Sequence, residues 1–442
     1  MRLSFFLLVC GIFFFQSCLE VQDPYTAVPP GRYRAVLRLE PKVQAQIEET
    51  PSILVPEFSG LKFEEVANGE LPFGMEVTYT SPTEFYVEFI NGEERIRVDS
   101  VYFGRDRRIA KDSIHIKFPV YDSYITALTE GGVIEGDWVV NYRENYRIPF
   151  VAKYGENYRF TELRKEPVTD LTGRWAVTFE ADSEDAYPAI GIFEQEGNKV
   201  TGTFRTETGD YRFLEGEIQA DKLYLSVFDG SHAFLFEGKV NEQGIVGTFR
   251  SGKHYKTVWT AVRDAEVTLA DPDSLTYLNP GYETVDFSFP LPDGTQLSPT
   301  DPKYAGKAKV IQILGTWCPN CRDETNFLRD YLKDNSDMEV AVMGLAFERY
   351  RDEERAMKAL RTYREQMDIG YPIALGGYYN KKEAAAALPM LNHVLSYPTL
   401  IVLDAENRVR YIHTGFNGPA TEEYQEFATA FDRTLKELTS GL

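Results

Sequence analysis

From Pro29 to Arg263 apolar and polar residues alternate with a period of two; beyond Asp264 the rhythm becomes short apolar runs separated by helix-length amphipathic stretches. This change of period is the strongest constraint on the fold. A period of two with turn residues between runs describes strands that bury one face. Apolar runs alternating with helical stretches describe a central sheet with helices on its faces. A length of 442 residues also exceeds what one hydrophobic core serves, so a multidomain chain is expected.

The period-two region divides in two. Residues 29–168 carry the strand candidates RYRAVLRLE, MEVTYT, EFYVEFI, RIRVDSVYF, SIHIKF, WVVNY and YRIPFVAKY, with turn residues such as Asn91-Gly92 between them. Residues 169–263 begin the pattern again with GRWAVTFEA, AIGIFEQ, KVTGTFR, YRFLEGEI, KLYLSVF, AFLFEGKV, GIVGTFR and YKTVWTAV. Landmarks recur in order. Gly31-Arg32-Tyr33 matches Gly173-Arg174-Trp175, the segment from Ile134 to Trp138 matches Ile245 to Phe249, and Tyr146 to Ala152 matches Tyr255 to Ala261. The expectation is a diverged tandem pair of antiparallel β-domains, each a meander closed into a barrel or sandwich, with residues 40–70 as an insertion in the first copy. The 27 Tyr and 29 Phe agree with strand-rich domains. No cluster of ligands or acids stands out in either copy, so a spacer or docking surface is expected there.

Residues 264–281 read as a polar, Pro-containing linker. From 282 to 442 the order is KVIQILGTW (strand), 319–334 (helix), MEVAVMGLAF (strand), DEERAMKALRTYREQM and KKEAAAALPML (helices), a hairpin of PTLIVLD and RVRYIHTG across Ala405–Asn407, and the helix TEEYQEFATAFDRTLKEL. This predicts an α/β domain around a mixed sheet.

The first residues, MRLSFFLLVCGIFFFQSC, combine one early Arg with an apolar stretch of export-signal length and small Ser17 before Cys18. A signal over 1–17 is expected, too short and wrongly flanked for a membrane span. Phe15-Gln16-Ser17-Cys18 resembles a bacterial lipoprotein cleavage box, which makes Cys18 the lipidation candidate and 18–28 a tether; acyl chains would hold the protein on a lipid bilayer without spanning it. The formal charge of −21 excludes nucleic acid as an expected partner, because a phosphate backbone would be repelled.

Only four cysteines exist: Cys10, Cys18, Cys318 and Cys321. With Cys10 removed in the signal and Cys18 lipidated, the exported chain keeps one pair, in Trp317-Cys318-Pro319-Asn320-Cys321. A disulfide-stapled scaffold is excluded, since one four-residue loop cannot staple several domains. Zinc needs four ligands, and His393 and His413 stand apart from each other and from the cysteines. Copper held by Cys318, Cys321 and one His fits thiolate chemistry somewhat better. Redox chemistry fits the local structure best. A CxxC where a strand ends and a helix begins sets the first sulfur against free N–H groups and the positive end of the helix dipole, which favour negative charge on it. Cys321, one turn on, can reach the same sulfur, and Pro319 suits the first turn, where a missing N–H is harmless.

WCPNC after a strand, with a Pro-Thr opening a later strand, resembles the thioredoxin fold. The segments FSFPLPDGTQLSPTDPKYAGKAKVIQILGTWCPNCRDE and SYPTLIVLDAENRVRYIHTGFNGPAT are similar to the TlpA/ResA-like branch of membrane-anchored bacterial thiol–disulfide oxidoreductases, over residues 282–442 only. The resemblance implies that Cys318 attacks and Cys321 resolves, cycling through a Cys318–Cys321 disulfide. It implies a cis peptide before Pro398, a residue beside which an extended substrate pairs with the backbone. It makes Glu324 the proton acceptor for the resolving sulfur, and it places Trp317, Pro319, Asn320, Tyr397, Thr399, Gly415 and Phe416, with Thr414 beside them, around the substrate. Gln312 stands where cytoplasmic thioredoxins carry a buried acid, and an amide cannot accept the proton. Asn320 between the cysteines lacks the positive charge of a His, which points to a reducing poise. The expected activity is therefore reduction of disulfide-containing protein substrates on the periplasm-facing side of a bacterial membrane. No flavin, nicotinamide or other cofactor is expected, so a separate electron donor is needed. The other classes are an assembly lipoprotein whose β-domains recruit a client, and a peroxidase, for which Gly315 stands where a Thr is required.

Overall fold

A computed structural model describes residues 27–40, 68–107 and 110–440. The expected signal 1–17, Cys10, the lipidation candidate Cys18 and most of the tether and of the 40–70 insertion lie outside the described residues. The end of the tether is packed: Val28 is buried, and its carbonyl accepts from Tyr79 Oη at 3.0 Å.

The first β-unit is a nine-stranded antiparallel meander running from Gly31–Arg38 to Arg147–Tyr154. Its first strand pairs with both the second, Glu70–Tyr79, and the last, Arg147–Tyr154. It stays unpaired between Glu94–Val98 and Val101–Asp106, so it curls into a half-barrel. The second unit repeats the plan and closes it. Gly173–Phe179 pairs with Tyr255–Arg263, and Tyr187–Glu196 pairs with both Gly173–Phe179 and Lys199–Thr206, giving an eight-stranded barrel. Closure removes the sheet edges. The two units show the same register. Gly31 and Gly173 open equivalent strands at φ +115 and +118, and Ala35 faces Ala152 as Val177 faces Ala261.

The units share a wall. In strand Lys222–Phe228, Leu223, Leu225 and Val227 point into the barrel core, while Tyr224 and Phe228 point outward into the half-barrel. Phe228 is ringed by Phe73 at 4.6 Å between centroids, Trp138 at 5.0 Å, Phe118 at 5.4 Å and Phe89 at 5.7 Å. The open hollow is thus filled by the neighbouring barrel. Phe228→Ala empties the centre of that packing and is expected to destabilise the β-units by about 3–5 kcal/mol, read by urea denaturation.

The C-terminal domain is a five-stranded sheet in the order Ile373–Tyr378, Val340–Glu348, Ala308–Leu314, Thr399–Leu403, Val409–Thr414; the first three strands run parallel, Thr399–Leu403 runs antiparallel to them, and Val409–Thr414 pairs antiparallel with Thr399–Leu403. Helices Pro319–Asp334, Glu353–Gln366, Lys381–Ala387 and Glu423–Thr439 accompany it. The architecture is two β-domains followed by a thioredoxin-like α/β domain. Its buried cluster is drawn wholly from Val285 to Leu435, and half-buried Val120 of the half-barrel packs against both it and the shared β core. Two sequence expectations need correction. Strand Ile373–Tyr378 was not foreseen, because IALGGY is short and glycine-bearing. The polar segment 264–281 is bonded at both ends: Asp264 N donates to Arg174 O and Arg174 Nη2 to Val267 O, both at 3.2 Å, on the barrel side, while Tyr277 N donates to Asn392 Oδ1 at 2.9 Å, Asn279 Nδ2 donates to Leu391 O at 2.9 Å, and buried Thr276 accepts from Thr414 Oγ1 at 2.8 Å. Backbone and side-chain groups of its second half thus bond to both backbone and side chains of the α/β domain.

Candidate redox site

The buried strand Ala308–Leu314 delivers the chain to Gly315, where a Cβ would lie 2.4 Å from the Trp317 indole nitrogen. A Thr at this position would displace Trp317. Helix Pro319–Asp334 begins directly after Cys318, which is its N-cap. The extended backbone of Cys318 and Pro319 in the first turn suit that start, and Cys321 N donates to Cys318 Sγ at 3.3 Å. A cap sulfur that accepts an orphan helix N–H sits where negative charge is favoured. The Cys318 thiol donates to Tyr397 O at 3.2 Å, and the Tyr397–Pro398 bond is cis. The cysteines and the cis-proline loop therefore face each other. Both cysteines are free thiols, Cys318 6% exposed and Cys321 fully buried. Burial first, and then the neighbouring Cys318, push the Cys321 thiol well above its ordinary value.

Below the pair lies Glu324, fully buried, with neither carboxylate oxygen accepting a hydrogen bond among the described residues. Burial pushes its pKa up to about 8, offset in part by the Gln312 amide. Gln312 donates to Cys321 O at 3.2 Å and accepts from Thr325 Oγ1 at 3.1 Å and Tyr371 Oη at 3.3 Å. It pins the second cysteine's backbone.

The remaining sequence candidates fall into distinct positions. Trp317 donates to Phe347 O at 3.0 Å, sits edge-on to Tyr397, and carries the Arg349 guanidinium 4.0 Å above its ring. Asn320 Nδ2 donates to Phe416 O at 3.1 Å. The Phe416 ring itself is buried against Phe427, with Phe327 and Tyr424 nearby, so only its carbonyl faces the cysteine loop. Thr399 is buried and donates to Ser396 O at 2.9 Å, bracing the cis-proline turn. Gly415, at φ +78, donates its N–H to Pro398 O at 2.9 Å. His413 contacts Asp273 at 2.7 Å and Tyr411 at 3.0 Å, and His393 contacts Leu275 O at 3.0 Å. Sequence reasoning passed over Glu348, the last residue of a fully apolar strand. It accepts from Thr316 N and Thr316 Oγ1, both at 2.9 Å, and burial pushes its pKa up to about 7. An acid closing the run VAVMGLAFE was the available signal.

The Redoxin family pattern matches residues 280–428. The thioredoxin-like protein YneN of Bacillus subtilis is 30% identical over 135 residues, covering 30% of this chain and 71% of that protein. The thiol:disulfide interchange protein DsbE of Escherichia coli is 26% identical over 181 residues, covering 41% of this chain and 88% of that protein. A crystal structure of a thioredoxin family thiol:disulfide interchange protein from Chlorobium tepidum superimposes with a TM-score of 0.27 at 23% identity, over 36% of this chain and 95% of the other. Through its C-terminal domain, the chain belongs to the Redoxin family of thioredoxin-like thiol–disulfide oxidoreductases.

Proposed function

We propose that the protein is an exported, lipid-anchored reductase of protein disulfides that works through Cys318 and Cys321. The observation that carries this is the placement of Cys318. Its sulfur caps a helix, faces the carbonyl of Tyr397 at the cis-proline, and has Cys321 one turn behind it. In the forward direction the Cys318 thiolate attacks one sulfur of a substrate disulfide, forming a mixed disulfide and releasing the other substrate sulfur as a thiolate. Cys321 then loses its proton and attacks Cys318 Sγ. This releases the second substrate thiolate and leaves a Cys318–Cys321 disulfide, so two electrons have passed to the substrate. Glu324 is the group that takes the Cys321 proton. A separate dithiol donor returns the pair to its reduced form by the reverse exchange.

The direction rests on Asn320. Its amide is neutral and bonded to backbone carbonyls, so no cation between the cysteines favours the thiolate and with it the reduced form. A potential more negative than about −200 mV is expected on equilibration with glutathione, whereas strongly oxidising members of the fold lie near about −120 mV. A value near the latter would overturn the reductase assignment. Anchoring by Cys18 has its own test: Cys18→Ala should release the protein from the membrane fraction with its exchange activity intact.

A further inference from the structure

The face of the C-terminal domain that carries Cys318 is covered by the barrel. The connection between barrel strands Lys199–Thr206 and Leu214–Gln219 turns across the cysteine loop and lays its backbone on the segments that surround it. Ser396 Oγ donates to Thr208 O at 2.9 Å, Asn320 Nδ2 to Asp210 O at 3.1 Å, and Gly418 N to Asp210 Oδ1 at 2.7 Å. From a second barrel turn, Ser231 Oγ donates to Trp317 O at 2.9 Å. The approach is fitted from both sides. Gly209 sits at φ +130, and a Cβ on it would lie 2.4 Å from Asn320 Nδ2 and 2.8 Å from Phe416 O. A Cβ on Gly415 would lie 2.8 Å from the Thr208 carbonyl carbon. Only glycine on each side lets the two backbones meet this closely.

Charge clasps the contact. Buried Arg212, itself at φ +62, reaches Asp323 of the CxxC helix at 2.5 Å, Asp229 of the barrel at 3.5 Å, and Glu94 of the half-barrel. Arg205 pairs with Glu423 at the start of the last helix. A non-glycine residue held in the left-handed region at such a junction is a feature that surrounding contacts must enforce. The contacts between barrel and redox domain named here are hydrogen bonds and ion pairs, the buried hydrophobic cluster of the redox domain contains no residue of the barrel, and from the half-barrel only half-buried Val120, among the described hydrophobic residues, packs against it. A polar seam between bodies with separate cores is the kind that opens.

Resting on the reading of Cys318 as the attacking thiol, we propose that the barrel connection Glu207–Arg212 is a built-in plug. It occupies the groove where an extended substrate would pair with the cis-proline loop, and the redox domain must undock from the barrel before a protein disulfide can reach Cys318. The β-domains are then a gate on the redox site, and whatever opens the seam switches the enzyme on.

The test uses the full-length reduced protein and the Arg205–Glu423 pair, which takes no part in the exchange. Labelling of Cys318 is followed by mass spectrometry with iodoacetamide and with a bulky polyethylene-glycol maleimide, alongside turnover of insulin disulfides. Arg205→Glu should speed the bulky labelling and insulin turnover about ten-fold, the ratio that 1.4 kcal/mol of lost closing energy gives, while changing iodoacetamide labelling less. Glu423→Arg, at the partly exposed helix start, should do the same should the barrel variant fold poorly. Arg205→Glu/Glu423→Arg should return both rates toward wild type, a rescue that general unfolding would not give. Wild-type and single-variant proteins that label and turn over at equal rates would overturn the plug and leave the reductase standing. Bulky labelling that rises and is rescued, with no exchange by any variant, would uphold the plug and overturn the reductase.

Discussion

Replacing Cys321 by Ser is expected to leave the protein joined covalently to its substrates through Cys318, while replacing Cys318 by Ser abolishes exchange and gives no adducts. The asymmetry follows from position. Cys318 is the helix cap whose thiol donates to the Tyr397 carbonyl just before the cis-proline, and Cys321 is fully buried behind it with a thiol pushed well above its ordinary value. On the proposed roles, the first sulfur meets the incoming disulfide and the second, one turn away, expels the product. Without a resolving thiol, the mixed disulfide decays only by external thiols. Adducts should therefore accumulate to a large fraction of the protein and migrate as discrete higher-mass bands that vanish on reduction. Turnover in either single variant should fall by about a thousand-fold or more, the scale seen when a covalent nucleophile is removed. Adducts on Cys321 in the Cys318→Ser variant would invert the assignment. The same trap identifies the substrates, and combined with Arg205→Glu it should capture more of them if the barrel gates access.

The parts of this molecule that were legible in its sequence are those written in side-chain pattern. Period-two alternation marked the β-units, and the shared landmarks Gly31 and Gly173 proved to open equivalent strands at the same backbone angle. WCPNC after an apolar run located the cysteine cap, because a strand end, a Pro in the first turn and a helix leave little freedom there. What escaped was written in backbone and in context. The barrel's docking on the cysteine loop uses the carbonyls of Thr208 and Asp210 and the bare Cα of Gly209, groups that carry no residue-type signature. KLYLSVF reads as one more strand of the alternating block, and its sequence does not say that a second unit lies on the face of Tyr224 and Phe228. The segment 264–281 reads as a polar linker, yet Tyr277 N, the Asn279 amide and the Thr276 hydroxyl are bonded to the α/β domain. Phe416 shows the opposite error: a residue flanking the cysteines in sequence pattern sends its ring into the core and offers only its carbonyl.

Glu324→Gln is expected to change both the pH dependence of resolution and that of stability, in windows set by the same buried carboxyl. At about 8, raised by burial from an ordinary value of 4.5, the group is roughly one-tenth ionised at neutral pH, close enough to working conditions to accept a proton from Cys321. The rate at which Cys321 resolves a preformed mixed disulfide on Cys318 should rise with pH through about 8. In Glu324→Gln the group's inflection is lost and the rate falls about a hundred-fold, within the range for losing a positioned base. A residue serving only to pack the helix would lower the rate without moving the profile. Stability runs the other way. The folded protein holds a proton that the unfolded chain gives up above pH 4.5, so this group's contribution is complete below 4.5, declines as pH rises, and is gone above 8. The full interval corresponds to up to about 5 kcal/mol. Glu348, with its pKa pushed up to about 7, adds a decline that ends sooner, so the span from pH 7 to 8 reports mainly Glu324. Urea midpoints of the wild type should fall across that span more steeply than those of Glu324→Gln, which keep only the tail of the Glu348 decline, leaving the variant the more stable protein at pH 9. A wild-type midpoint that holds steady from pH 7 to 9 would mean that Glu324 is ionised in the folded state, and its part as acceptor would fall with it.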